Sequence, residues 1–181
     1  MTTLSLPFAH LNLRRNPFGE LTVEERAALA VANVETLVPR LRAGAQVQFV
    51  GAQGRGKTSH LLALKARLPE AHYVRCDRDG PAPYAPILLL DEADRVPRGA
   101  CALAVHRPLR GVEIIELPPL TPARLATIIE RRIEHVRRNP GPVPRVMDVE
   151  ELIARFGDDV RAIEHHLYER FQGTAHHQEC D

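Results

Sequence analysis

Up to Pro118 the apolar positions come in short runs separated by glycine, proline and polar clusters; beyond it they recur every three or four residues. Short runs predict strands, and the longer period predicts helices. Thr22 with Glu25 is a capping-box start, so the spacing predicts a helix over 23–43, ended by Gly44 and kinked or shortened by Pro39. Strands are predicted at 46–50, 72–76, 87–90, 102–105 and 112–117, with a helix over 59–68 that Pro69 stops. Strands separated by crossovers imply an α/β fold with a mainly parallel sheet, in a three-layer α/β/α core.

After Pro118 and Pro119 the pattern is helical. Thr121 caps, Pro122 suits the first helical position, and Leu125, Ile128, Ile129, Ile133 and Val136 line one face. A proline-rich break at 139–144 follows. Asp148 with Glu151 opens a second helix that ends at Gly157. Asp158 or Asp159 opens a third, with Val160, Ile163, Leu167 and Phe171 as its apolar stripe. The expected organisation is an N-terminal segment and helix at 1–44, a core at 45–118, a helical lid at 119–172 and a frayed tail at 173–181.

Composition narrows the choice of function. The chain has 181 residues and is 44% hydrophobic, enough for a real core, and its 24 basic and 23 acidic residues leave a net charge of +1. That balance excludes a strongly basic nucleic-acid coat and an acidic tail. No apolar run approaches the ~20 residues that cross a bilayer, and residues 1–13 lack a basic leader. Cys76, Cys101 and Cys180 form no C-x-x-C pair, which argues against a disulfide framework or a zinc site. These features point to a cytoplasmic protein with free thiols and no membrane partner. Only Lys57 and Lys65 of the basic residues are lysines, so the place of each matters.

Lys57 falls in Gly51-Ala52-Gln53-Gly54-Arg55-Gly56-Lys57-Thr58, which fits G-x-x-x-x-G-K-[ST] at every fixed position and lies between a predicted strand and helix. The glycines let successive N–H groups turn around a phosphate, and the helix that continues through Ser59 points its positive end at the same anion. Lys57 would reach the β and γ phosphates, and Thr58 would offer its hydroxyl to Mg²⁺. An arginine would not replace that lysine well.

Ile87-Leu88-Leu89-Leu90-Asp91-Glu92 is an apolar strand that releases two carboxylates at its C-terminal end, where ligands bind in open parallel sheets. Asp91 is the candidate to hold Mg²⁺ through water, opposite Thr58. Glu92 is the candidate to polarise a water for attack on the γ-phosphate.

Residues 51–58 and 87–92 together resemble the AAA+ ATPases, within the P-loop NTPases that carry a catalytic glutamate beside the metal-binding aspartate. The resemblance implies ATP and Mg²⁺ as ligands. It also implies a polar residue at the end of the next strand, touching the γ-phosphate or attacking water, and His106 stands there where Asn, Ser or Thr is more usual. An arginine finger precedes the last core strand in this family, where Arg107 and Arg110 are available and Arg110 is better placed. If it acts in trans, activity requires a neighbouring subunit. Gly157-Asp158-Asp159-Val160-Arg161 resembles the start of a sensor-2 helix. Arg161 in a first helical turn is opposed by the helix dipole, so it is there for an anion, either the γ-phosphate or a carboxylate such as Asp158. Asn16-Pro17-Phe18 is similar to a segment near adenine in initiator-type members, but three residues recur often by chance and the hydrophobic staple is the favoured reading.

Asp91-Glu92-Ala93-Asp94 spells a helicase signature, but those enzymes need two tandem motor domains and this chain is too short for them. Arg124, Arg131, Arg132, Arg137, Arg138 and Arg145 make the first lid helix and its exit basic. They are either a nucleic-acid or acidic-partner surface or a solvated face; an aromatic content of 4% favours the second. His165 and His166 point to different helix faces, and His176 and His177 lie in the tail, so a metal site is not expected.

The chain also departs from the family. Residues 77–86 hold three prolines and a glycine where a crossover helix normally lies, and 92–101 leave barely room for another. Regions that commonly carry pore loops are therefore missing, which favours a switch or loader over a threading unfoldase. The leading expectation is an ATP-binding, Mg²⁺-dependent ATPase that assembles with itself or a partner. The alternatives are a nucleotide-gated interaction protein with negligible hydrolysis and a small P-loop kinase.

Overall fold

In the computed structural model, which describes residues 7–79 and 83–176, a 3-10 turn at Ala9–Leu11 precedes helices α1 (Val23–Leu29) and α2 (Leu37–Arg42). Strand β1 (Gln46–Val50), helix α3 (Lys57–Arg67) and strands β2 (Ala71–Arg75), β3 (Ile87–Asp91), β4 (Ala100–Ala104) and β5 (Glu113–Glu116) follow. Helices α4 (Pro122–His135), α5 (Val149–Phe156) and α6 (Val160–His176) complete the chain. Two compact units result: residues 22–119, and residues 7–21 with 120–176.

The five strands form one all-parallel sheet in the order β2-β3-β4-β1-β5, as the α/β reading expects. Strands β3 and β4 are buried along their whole length, which is why both read as unbroken apolar runs. Alternation splits their side chains between two faces. On one, Ile87, Leu89, Ala100, Ala102 and Ala104 pack with Val47 and Phe49 under Leu61 and Leu64 of α3 and Leu37 and Leu41 of α2. The small alanines of β4 leave room for the helices. On the other, Leu88, Leu90, Cys101 and Leu103 pack with Val105, Val112 and the partly buried Val96 and Leu109. Among the described residues, those that pack on this face from outside the strands come from the short, proline-bearing connecting loops.

Gln48, fully buried in β1, anchors one of those loops. Its Nε2 donates to Leu109 O (2.8 Å) and Val112 O (3.0 Å), and its Oε1 accepts from the Leu109 N–H (2.8 Å). A single amide thus satisfies loop backbone groups that a crossover helix would have satisfied internally.

The first expected helix is corrected. The helix over 23–43 is two helices, with the chain out of helix from Ala30 to Thr36. Pro39 has no N–H to donate to the Glu35 carbonyl, so a continuous helix would lose a bond and meet the proline ring. The chain instead buries Val34 in the core and restarts at Leu37, placing Pro39 in a first turn where no N–H is needed. The start is as expected: Thr22 and Glu25 exchange both capping-box bonds.

In the second unit Thr121 caps α4 through the Arg124 N–H (3.2 Å) and Pro122 opens it. Leu125, Ile129, Ile133 and Val136 pack with Leu152, Ile163, Leu167 and Phe171. Phe8, Leu13 and Phe18 join the same core. The N-terminal segment is stitched to the exit of α4 by Arg14 N–H to Val136 O (2.8 Å) and Arg138 N–H to Asn12 O (2.9 Å). Helix α6 runs on to His176, through Gly173 where fraying was expected; the rest of the expected tail, with His177 and Cys180, lies outside the described residues. Among the described residues no helix is long and apolar enough to cross a membrane, and Cys76 and Cys101 are free thiols.

Gln48→Leu keeps the volume and removes all three bonds, leaving one buried N–H and two carbonyls without their partner. We expect a loss of about 2–4 kcal/mol, read as a lower urea midpoint with an unchanged native circular dichroism spectrum. An unchanged midpoint would mean that water replaces the amide.

Candidate functional site

Parallel register aligns four strand ends on one edge of the sheet: Phe49 of β1 faces Ala104 of β4, which faces Asp91 of β3, which faces Arg75 of β2. The chain leaves the neighbours β1 and β4 in opposite directions, towards β2 at one edge and β5 at the other. Such a reversal opens a crevice at the carboxyl ends of the strands, and the loop 51–56 fills the mouth of this one.

Gly54 and Gly56 have φ of 86° and 87°, a left-handed conformation that lets the loop double back before α3. Gly56 is the N-cap of α3; no side chain caps the helix and no acidic residue sits in its first turn. The positive end of α3 and its first N–H groups therefore face the loop without a side-chain cap. Lys57 braces the loop across its width, with Nζ donating to Gly51 O (2.8 Å) and Ala52 O (3.3 Å). Arg55 folds back to Leu117 O (3.2 Å), while Ala52 and Gln53 are exposed at the tip.

Asp91 is almost completely buried, with 2% of its surface exposed. Its Oδ1 accepts from the Thr58 hydroxyl (3.2 Å) and its Oδ2 from the Tyr73 hydroxyl (3.0 Å). Burial, and then the charge of Asp91, raise the Tyr73 phenol above its ordinary range, so it stays protonated and donates. Tyr73 is the residue that sequence reasoning missed. Its only signal was a polar group inside a strand, and the pairing of that strand with β3 is not written in the sequence.

Glu92 follows with φ 56°, rare for a residue with a side chain. The next N–H, of Ala93, returns to Ala104 O (3.1 Å), so Glu92 is lifted out of the ladder between two anchored neighbours. Its Oε2 lies 2.5 Å from Nε2 of His106. The two residues singled out at successive strand ends thus touch each other.

Thr58 and Asp91 offer one hydroxyl and one carboxylate, both hard oxygen donors, side by side. This fits Mg²⁺, which keeps several waters and takes one or two carboxylates plus substrate phosphates rather than a protein cage. Among the described residues no group of three or more His, Cys, Asp or Glu could hold a metal by itself.

The remaining candidates are more dispersed. Arg107 and Arg110 are exposed on the loop that Gln48 pins. Arg161 belongs to the helical unit, in the first turn of α6, where Asp159 Oδ1 caps the Arg161 and Ala162 N–H groups (3.1 Å each). Asp158 accepts from the Leu120 N–H (2.9 Å). Asn16 and Phe18 also lie in the helical unit: Asn16 Nδ2 donates to Tyr168 O (2.9 Å) and Phe18 meets Phe171 edge-on at 5.4 Å. Of the arginine cluster, Arg132 is buried beside Phe18 and Arg137 pairs with Glu134 (2.7 Å), so part of it serves the fold. His165 lies against Glu169 and His166 against the Phe156 ring.

Glu92→Gly would relieve the left-handed strain and lose the half-exposed contact with His106. We expect a gain of about 1 kcal/mol in stability, read from the denaturation midpoint; a loss would show that the His106 contact outweighs the strain. No protein-family model and no curated protein matches this chain, so the chemistry of the site stands on its own atoms.

Proposed function

We propose that the chain is an ATP-binding, Mg²⁺-dependent ATPase of AAA+ type, acting as a nucleotide-driven switch or loader. The observation that carries this reading is the 3.2 Å contact of Thr58 with Asp91. It brings the hydroxyl of the glycine-rich motif against the carboxylate of the acidic strand, at the uncapped end of α3.

The residues divide the work. Gly51 to Ser59 wrap the phosphates with backbone N–H groups, and Lys57 exchanges its loop carbonyls for β- and γ-phosphate oxygens. Thr58 and Asp91 hold the metal, which when bound neutralises charge on the phosphates. Glu92 accepts a proton from water as the water oxygen attacks the γ-phosphorus. The bond from that phosphorus to the bridging oxygen breaks, giving ADP and inorganic phosphate. His106 orients Glu92 or the attacking water, and Arg161 and Arg110 supply positive charge to the γ-phosphate, Arg110 from a neighbouring subunit of a homo-oligomer or from within a hetero-complex. Client recognition falls to loops, to the exposed arginines of the helical unit or to a partner, with nucleic acid among the candidates.

A second reading draws on the Glu92–His106 contact: a nucleotide-gated interaction protein in which His106 keeps Glu92 from water and turnover is negligible. Phosphate release and oligomer mass with ATP, with and without DNA, separate the two. We expect Glu92→Gln to lower release by about 10²- to 10⁴-fold while ATP binding persists. Lys57→Ala is expected to abolish binding. No release by the wild-type protein under any condition would leave the gated switch.

A further inference from the structure

We propose that Tyr73 is a positioning residue for the metal-binding carboxylate, fixing Asp91 so that Oδ1 stays beside Thr58. The inference rests on the reading of Asp91 as the Mg²⁺-side carboxylate.

The sheet register is what makes the contact. Tyr73 faces Leu89 across the β2–β3 pair, and Arg75 faces Asp91. Residues 87, 89 and 91 alternate onto the α3 side of the sheet, and Tyr73 packs with that same cluster. A phenol is long enough to reach diagonally past Leu89 to the carboxylate one step further on. Its hydroxyl takes Oδ2 at 3.0 Å while Thr58 takes Oδ1 at 3.2 Å. Each carboxylate oxygen of a nearly buried group therefore has its own donor, and the carboxylate plane is held at two points.

The two donors are not equivalent. Thr58 is a candidate metal ligand, and its hydroxyl would serve a cation through an oxygen lone pair besides donating to Oδ1. Tyr73 sits on the far oxygen, where its bond would persist but weaken as a cation at Oδ1 draws charge from the shared carboxylate. Without it, Oδ2 is left buried and unpartnered, and the carboxylate gains freedom to rotate just when the metal needs Oδ1 in place. Partners of this kind commonly change metal affinity by about 10- to 100-fold.

The test is the affinity for a fluorescent ADP analogue measured in Mg²⁺ and in EDTA, for wild type and Tyr73→Phe. We expect the EDTA affinity to be unchanged and the gain from Mg²⁺ to shrink by about 10-fold. A merely structural tyrosine would move both affinities together, or neither. A second measurement needs no change at Tyr73. Tyr84 and Tyr168 are exposed and the chain has no tryptophan, so Tyr84→Phe with Tyr168→Phe leaves Tyr73 as the one tyrosine. Its emission in the presence of ADP should change when Mg²⁺ replaces EDTA. Wild type that gains affinity with Mg²⁺ while Tyr73→Phe gains as much, or a Tyr73 emission indifferent to Mg²⁺, overturns the positioning role alone. Wild type that binds ADP equally with and without Mg²⁺ overturns the metal reading of Asp91 as well, and wild type that binds no nucleotide overturns the proposed function too.

Discussion

Parallel strand register is the constraint on which the site depends. Because β1, β3 and β4 run the same way with Phe49, Ala104 and Asp91 level, everything that follows those residues emerges on one edge of the sheet. A glycine loop, an acidic pair and a strand-end histidine that are far apart in the chain become neighbours without any one of them having to reach. β4 lies between β1 and β3, so the histidine that follows it comes up between the loop and the acidic pair.

Maintaining that register with so few residues takes an economy in the outer layer. α2 and α3 pack on one face of the sheet, whereas among the described residues connecting loops pack on the other, and loop backbone buried against a sheet needs partners. Gln48 supplies them for the segment before β5, from inside the core. The same clip fixes the segment that carries Arg107 and Arg110, so a residue with no functional motif around it decides how rigidly two candidate functional arginines are presented.

Polar satisfaction and strain meet at the C-terminal end of β3. Asp91 is buried with both oxygens bonded, and Glu92 beside it is in a left-handed conformation against His106. The first arrangement is stable and the second is costly. Unfavourable backbone geometry persists where neighbours over-determine it, and here the Ala93 N–H on Ala104 and the pairing of Asp91 with β4 do so on either side.

How much of this was legible from the amino acids depends on range. Several signals that act within a few residues held. The capping box at Thr22, the proline start of α4, the glycine-rich loop and the buried apolar strands were readable because local sterics and local hydrogen bonds set them. Pro39 was readable as a disturbance, but not that the chain leaves the helix at Ala30, nine residues earlier, and buries Val34 before it restarts. Nothing in the order of residues puts β4 between β1 and β3, folds residues 7–21 in with the C-terminal helices, or pairs β2 with β3 so that Tyr73 meets Asp91. Those are choices among long-range packings, settled by which apolar faces bury best together. The motifs thus name the chemistry available to this chain, while the register of the sheet selects which side chains stand within a hydrogen bond of it.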